Sequence, residues 1–304
     1  MEEVLSGLFL QESGEEETKV IRLATKEDEQ VVIRLCSKNA WDGTTILSAY
    51  QSKCEDVHNA DWQYCDLWVG ESGAQKKNAQ YLLCRQGQNF HIVGKPHSKQ
   101  RWQELHDFLS MQAAGSHLIA DQTLLEEYES QFPSSFCQQT TGIVAPRMLS
   151  THLPEEMEDS SVQESQSLWG IYDLLAAAKP EMLKKVSKDD YTARMRFSQR
   201  GGAKFFEILN DTQTPVCIGA ILLPEQGDYG LIFNICTHPQ CRGRGYARKM
   251  VMRLCMEAYL QGKTPVLDCA SSELEEYYSR LGFQTVSHWG KRLLTGCVVQ
   301  KEEQ

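Results

Sequence analysis

Residues 231–247, LIFNICTHPQCRGRGYA, carry the decisive pattern: an apolar run meets a proline, turns through alternating arginine and glycine, and enters an amphipathic helix. That order describes an anion site. At the start of a helix the first backbone N–H groups lack an intrahelical partner and the macrodipole is positive, so the turn favours a phosphate. Gly243 and Gly245 let the backbone approach a ligand with no Cβ in the way, and Arg242 and Arg244 add forked, permanently charged donors.

Beyond the turn, Ala247, Met250, Val251, Leu254, Cys255 and Ala258 recur at helical spacing, while Arg248, Lys249 and Arg253 fall elsewhere on the wheel. Gly262 ends this helix, and Pro265 to Cys269 (PVLDC) reads as a short buried strand. Ser272 and Glu275 then have the spacing of a capping box for a helix through Tyr278 to Leu281, closed by Gly282 with Phe283 behind it.

Two of these segments resemble a known family. Arg242-Gly243-Arg244-Gly245-Tyr246-Ala247 is similar to the R/Q-x-x-G-x-G/A signature of the GNAT superfamily of acyl-CoA-dependent N-acetyltransferases, and Tyr278 to Phe283 (YSRLGF) resembles its later Y-x-x-x-G-F motif. They stand in family order and spacing, and the resemblance covers roughly Leu168 to Leu294. It implies a mixed, mostly antiparallel sheet flanked by helices and splayed where the thioester enters. Ile235, Cys236 and Thr237 would then offer backbone groups to the acyl and pantetheine portion of acetyl-CoA. Arg242, Gly243, Arg244, Gly245, Tyr246 and Ala247 would hold the pyrophosphate, with Arg248 and Lys249 as partners for the outer phosphate. Ser271 stands where many members carry a cofactor-touching asparagine, which is a departure from the pattern.

The resemblance also implies the chemistry: direct attack of a primary amine, from a small molecule or a peptide, on acetyl-CoA. Tyr278 matches the acid that protonates the leaving thiolate, and adjacent Tyr277 is expected to face the core. For the general base the residues leave Glu207, Asp228, His238 and Asp268 open. Alternation along Lys204 to Leu209 favours Glu207 by pointing it inward. Two alternatives to catalysis are a non-catalytic acyl-CoA-binding sensor and a nucleotide-binding domain with a similar glycine loop.

The chain has 304 residues, 41% of them hydrophobic and 24% charged, enough for one or two sizeable cores. No apolar run approaches the ~18 residues of a membrane span, and the first residues lack the features of a signal peptide, so a cytoplasmic protein is expected. The formal net charge of −10 is concentrated: residues 1–19 and 150–167 each carry −5, leaving a near-neutral remainder with no footprint for nucleic acid. Eleven scattered cysteines without a C-x-x-C pair fit buried, reduced thiols. Cys236-x-His238-x-x-Cys241 has no paired fourth ligand and already belongs to the phosphate turn, so no metal is assigned.

The acidic segment 150–167 interrupts the apolar periodicity and marks a boundary. The expected organisation is an acidic tail (1–19), an N-terminal α+β domain (20–149), a linker (150–167) and the acetyltransferase-like domain (168–304). In the first domain the pattern predicts a strand at Val20 to Leu23, a helix over 26–38, and strands near 66–70, 80–84 and 89–93. A helix over 99–111, a strand at 117–120 and a short helix over 124–132 follow. The second domain is expected to hold helices over 168–178 and 189–198 and antiparallel strands at 203–209, 216–223 and 229–237. Because the two orders are similar, the first domain resembles a degenerate copy of the second, although its turn Gly94-Lys95-Pro96-His97-Ser98 has no glycine signature.

Overall fold

A single mixed sheet joins both halves of the chain. The computed structural model describes residues 21–55, 65–71, 79–112, 115–133, 135–147, 161–184 and 186–295. The expected tail, and residues 150–160 of the expected linker, lie outside the described residues. The first half runs β1 (Ile21–Leu23), α1 (Glu29–Cys36), α2 (Asp42–Glu55), β2 (Asp66–Glu71), β3 (Ala79–Gln86), β4 (Asn89–Gly94), α3 (Lys99–Gln112), β5 (His117–Asp121), α4 (Gln122–Gln131) and β6 (Phe136–Pro146). The second runs β7 (Gln163–Glu164), α5 (Leu168–Ala178), α6 (Pro180–Leu183), α7 (Lys188–Arg200), β8 (Ala203–Leu209), β9 (Pro215–Leu222), β10 (Tyr229–Thr237), α8 (Tyr246–Leu260), β11 (Thr264–Cys269), α9 (Ser272–Arg280) and β12 (Ser287–Leu294).

The strand order is β1-β2-β3-β4-β5-β12-β6-β11-β10-β9-β8-β7. Read from either edge it follows the same plan. Four antiparallel strands come first; the fourth pairs in parallel with the fifth, as β4 does with β5 and β10 with β11. The sixth place in each half is then filled by the last strand of the other. β12 lies antiparallel to β5, and β6 antiparallel to β11, with β12 and β6 paired at the centre.

Two buried arginines hold this exchange. Arg292 of β12 is 1% exposed and sends Nε to Glu129 Oε1 at 3.0 Å and Nη2 to Gln122 Oε1 at 3.2 Å, both on α4. At the other crossing Arg147, just after β6, donates Nε to the Leu281 carbonyl at 2.8 Å and Nη1 to Tyr259 Oη at 2.9 Å. These acceptors offset the burial of each guanidinium, although Nη1 of Arg292 has no hydrogen-bond partner among the described residues.

Strand alternation distributes the core over both faces. On β8, Phe205 joins Ile171, Leu174, Leu175 and Tyr191 beneath α5 and α7, whereas Phe206 joins Met250, Val251 and Leu254 of α8. In the first half Val32, Ile46 and Leu47 of α1 and α2 cover one face, and Leu105, Leu109, Leu125 and Tyr128 of α3 and α4 form a second cluster. Ser52 Oγ on α2 donates to the Phe197 carbonyl on α7 at 2.8 Å, joining the helices of the two halves.

Several local expectations change. The helix expected over 26–38 is a 3-10 turn (Lys26–Asp28) followed by α1, because the Asp28 carboxylate caps back onto Thr25 N at 2.7 Å and pairs with Arg22. The capping box of α9 does not form: Ser271 is the N-cap, without a side-chain cap bond, and Glu275 accepts instead from Thr285 Oγ1 at 2.9 Å. Helices α2 and α6 and strands β6, β7 and β12 were not anticipated. Helix α2 hides its polarity, since Thr44, Ser48 and Ser52 are buried and Thr44 and Ser52 bond the preceding turn.

Gly142 on β6 sits where the exchanged strands meet. A Cβ there would lie 2.4 Å from the Cys269 carbonyl oxygen and 2.5 Å from Trp289 Nε1, and backbone cannot move aside cheaply. Gly142→Ala is expected to lower stability by about 1–3 kcal/mol, seen as a fall of several degrees in the thermal unfolding midpoint.

Candidate active site

The glycine turn is shaped by backbone conformation. After β10, a 3-10 turn (Pro239–Cys241) is capped by His238, whose Nδ1 accepts from Gln240 N–H at 3.3 Å. Gly243 and Gly245 then adopt φ of 76° and 80°, left-handed values that a side chain would make costly. No atom lies within 4 Å of a Cβ placed at either, so the space in front of the turn is open. Gly245 is the N-cap of α8 and has no side chain to cap it. The first amides of a 15-residue helix therefore face outward beside the exposed Arg242 and Arg244. Tyr246 packs against the core beneath α8, anchoring the turn from behind. These features fit a pyrophosphate.

The sheet opens next to this turn. The parallel ladder between β10 and β11 runs from Tyr229–Thr264 to Ile232–Leu267 and stops, while β10 continues to Thr237. A bulge between Phe233 and Cys236 bends β10 away, with Asn234 at φ 55° and its Nδ2 donating to Tyr191 Oη at 3.2 Å. The resulting cleft has a volume of about 580 Å³. Residues 233–237 of β10, Arg242 and Ala247 line one side; Leu267, Asp268 and Cys269 of β11 and Leu274, Tyr277 and Tyr278 of α9 line the other, with Lys179 at the mouth. Ile235 leans on the core beneath α8, Cys236 on the opposite cluster, and Thr237 Oγ1 bonds Cys217 Sγ at 3.4 Å. Ser271 is exposed at the start of α9.

Tyr278 is 8% exposed and packs against Phe283 at a ring distance of 5.9 Å, within the core beneath α8. Burial, reinforced by Tyr277, Cys269 and Asp268, pushes its phenol up and keeps it protonated. Tyr277, expected in the core, is the less buried of the pair and also faces the cleft. The helical turn allows only one of the two to point straight at Phe283.

The four carboxylate and imidazole positions separate clearly. Asp228 is exposed and precedes β10, at the end remote from the opening. His238 is occupied as a cap. Glu207 is buried on β8, two strands from the gap, and is absent from the described residues that line the cleft. Asp268 lines the cleft directly. On β11 its neighbours Leu267 and Cys269 face α8, so Asp268 points to the other face, beside the cluster that includes Val144, Trp289 and Trp41. Burial first, then the negative charge of Asp42, pushes its carboxyl up to about 6; the Trp41 indole opposes this.

Trp41, Asp42 and His91 belong to the first half and carried no local signal. Trp41 packs on the cluster of Val144 and Trp289, which depends on the sheet being continuous. The first half's own turn is closed: Gly94, at φ 79°, lies so near β3 that a Cβ would sit 2.3 Å from the Gln80 carbonyl. The following His97 N–H is taken by Gln80 Oε1 at 3.0 Å.

Comparison with known proteins agrees with this architecture. Residues 202–285 match the family model of the acetyltransferase (GNAT) domain. By sequence, no curated protein matches significantly. An acetyltransferase from the GNAT family of Colwellia psychrerythraea superposes with a TM-score of 0.56 at 14% identity, over 90% of this chain and 99% of its own. A tandem GNAT protein from the clavulanic acid biosynthesis pathway superposes at 0.61 with 11% identity, over 90% and 97%. A Drosophila protein does so at 0.60 with 11% identity, over 90% and 98%. At such identities the likeness is one of fold. Residues 202–285 are thus similar to the GNAT acetyltransferase domain, a domain of acyl-CoA-dependent acetyl transfer. Among the described residues no helix is long and apolar enough to cross a membrane.

Because the Asp268 carboxyl titrates above the ~3.9 of an unfolded chain, the folded state holds more protons between about pH 4 and 6 and loses stability as pH rises through that window. Asp268→Asn removes this penalty. The variant is expected to unfold at a higher temperature than wild type at pH 7.5, by the equivalent of ~1–2 kcal/mol after allowing for screening in the open cleft, with the gap closing towards pH 4.

Proposed function

We propose that this protein is an N-acetyltransferase that moves the acetyl group of acetyl-CoA to a primary amine by direct attack, with Asp268 as base and Tyr278 as acid. The observation that carries the reading is the gap between β10 and β11, which opens beside the Arg242–Ala247 turn and has Asp268 and Tyr278 on opposite faces of the sheet. The turn's amides and Arg242 hold the pyrophosphate, and the unpaired edge of residues 233–237 aligns the thioester. Backbone donors on that edge stabilise negative charge developing on the carbonyl oxygen.

The amine enters from the face beneath α5 and α7, where Asp268 takes its proton. A carboxylate tuned to about 6 is ionised at neutral pH yet more basic than an ordinary aspartate. From the α8 face, protonated Tyr278 hands its proton to the departing sulfur. Glu207 has no part in these steps. The acceptor is a small-molecule amine or a peptide amine, and the chemistry needs no metal. We read residues 20–149 as a degenerate copy of the 168–304 unit, joined by 150–167, because the halves repeat one element order and one strand plan.

Incubation of the protein with acetyl-CoA and a pool of amines and peptides, read by mass spectrometry, is expected to yield free CoA thiol and one class of acetylated product. Tyr278→Phe is expected to lower kcat by ~10²-fold or more while leaving acetyl-CoA affinity unchanged. Turnover at the wild-type rate in that variant removes Tyr278 from the mechanism. With the acceptor in hand, kcat/KM is expected to fall as pH drops through about 6, the range in which Asp268 takes up a proton, and Asp268→Asn is expected to abolish that limb.

A further inference from the structure

Among the described residues the charged side chains that line the cleft are Arg242, Asp268 and Lys179. Arg242 belongs to the anion turn and Asp268 takes the amine's proton, which leaves Lys179 without a role. It joins α5 to α6, whose Leu174, Leu175 and Leu183 pack on the face of the sheet that Asp268 points to. Its backbone is held at both ends: its N–H donates to the Leu175 carbonyl at 2.7 Å, and its carbonyl accepts from Met182 N–H at 3.0 Å. Its ammonium is free. The acids of α5 and α6 are engaged elsewhere, Asp173 with Lys188 at 2.7 Å and Glu181 with Lys184 at 3.5 Å, and no described residue bonds or pairs with Lys179 Nζ. On the same face the wall of β10 offers Phe233, packed with α5 and α7, and Asn234. Asn234 Nδ2 donates to Tyr191 Oη at 3.2 Å, while its Oδ1 has no donor among the described residues.

We propose that the acceptor is a small amine that also carries a carboxylate, and that Lys179 binds this carboxylate while the amine lies between Asp268 and Asn234 Oδ1. The proposal names the acceptor of the acetyl transfer argued above and rests on that reading. A lysine ammonium is a compact point charge that matches one unit of negative charge. A phosphate group instead calls for the fork of an arginine or a set of backbone amides, which this cleft provides at Arg242 and not at Lys179. Because Lys179 and Asp268 line one cleft, the recognised carboxylate and the reacting amine belong to one small molecule. Selection then has an attractive and a repulsive part: an amino acid neutralises Lys179, whereas a diamine brings a second positive charge to a lysine that has no counter-ion. The carbon skeleton between the two charged ends lies over Phe233.

The test measures acetyl transfer by the full-length protein to matched pairs of amines: the common α-amino acids, β-alanine and γ-aminobutyrate, each against its own carboxamide, with linear diamines as the cationic comparison. At least one amino acid is expected to exceed its carboxamide in kcat/KM by ~10-fold or more, chiefly through KM. Lys179 is exposed, so its variants are expected to fold. Lys179→Gln is expected to bring that ratio to about one, Lys179→Arg to keep it, and Lys179→Glu to turn the preference towards the diamines. A wild-type preference for carboxamides overturns the proposal, as does a preference that survives Lys179→Gln, or acetylation of peptides with none of the small amines. Equal loss for acids and carboxamides together with weaker acetyl-CoA binding, read by calorimetry, assigns Lys179 to the cofactor and overturns it too. If no amine is acetylated, the catalytic reading fails separately. Calorimetry of the same amino acids against the CoA-saturated protein then decides the site: binding lost in Lys179→Gln upholds carboxylate recognition, and no binding to wild type refutes it.

Discussion

The antiparallel pair of β12 and β6 is the constraint on which the rest of the structure depends. Each strand closes the sheet of the half that did not make it, so neither half has a complete sheet of its own. Arg292 and Arg147 lock the two crossings with charged hydrogen bonds that run from one half to the other. An unpaired guanidinium at either place would carry the full cost of burial, which ties the formation of one half to that of its neighbour. Gly142 permits the close stacking of Trp289 at the meeting point, and Trp289 in turn supports Trp41.

From that pair the geometry of the cleft follows. Strand β11 is held on one side by β6 and on the other by β10 over only four residue pairs, so β10 is free to bulge at Asn234 and leave a gap. The same arrangement occurs in outline between β4 and β5, where the ladder is also short. There the turn after β4 is packed against β3 and its amide is satisfied by Gln80, so the anion cradle is lost. One plan has thus served two ends: a cleft in the second half, and in the first a closed turn with no such opening.

Much of this was legible locally. The helix α8 announced itself by a six-residue apolar stripe, and β8 to β11 by apolar runs between polar turns. Helix α2 was not legible, because threonines and serines occupy its buried positions and satisfy themselves on the preceding turn, erasing the contrast between faces. Strand β6 was missed for the opposite reason: its first half is exposed and its second buried, so no alternation develops along it. Strand β12 was also missed, and without it and β6 the strand exchange was concealed.

Sequence alone determined the glycine turn, the helix behind it and the likeness of residues 202–285 to a GNAT domain, because these depend on side chains a few residues apart and on the φ angles that only glycine takes readily. It also placed Tyr278, through its spacing from Gly282 and Phe283. Which carboxylate stands in the cleft was decided by tertiary structure. Glu207 and Asp268 each lie on a strand with apolar neighbours and look equivalent in one dimension. Only the point at which the β10–β11 ladder ends, which leaves Asp268 in the cleft and Glu207 outside it, distinguishes them.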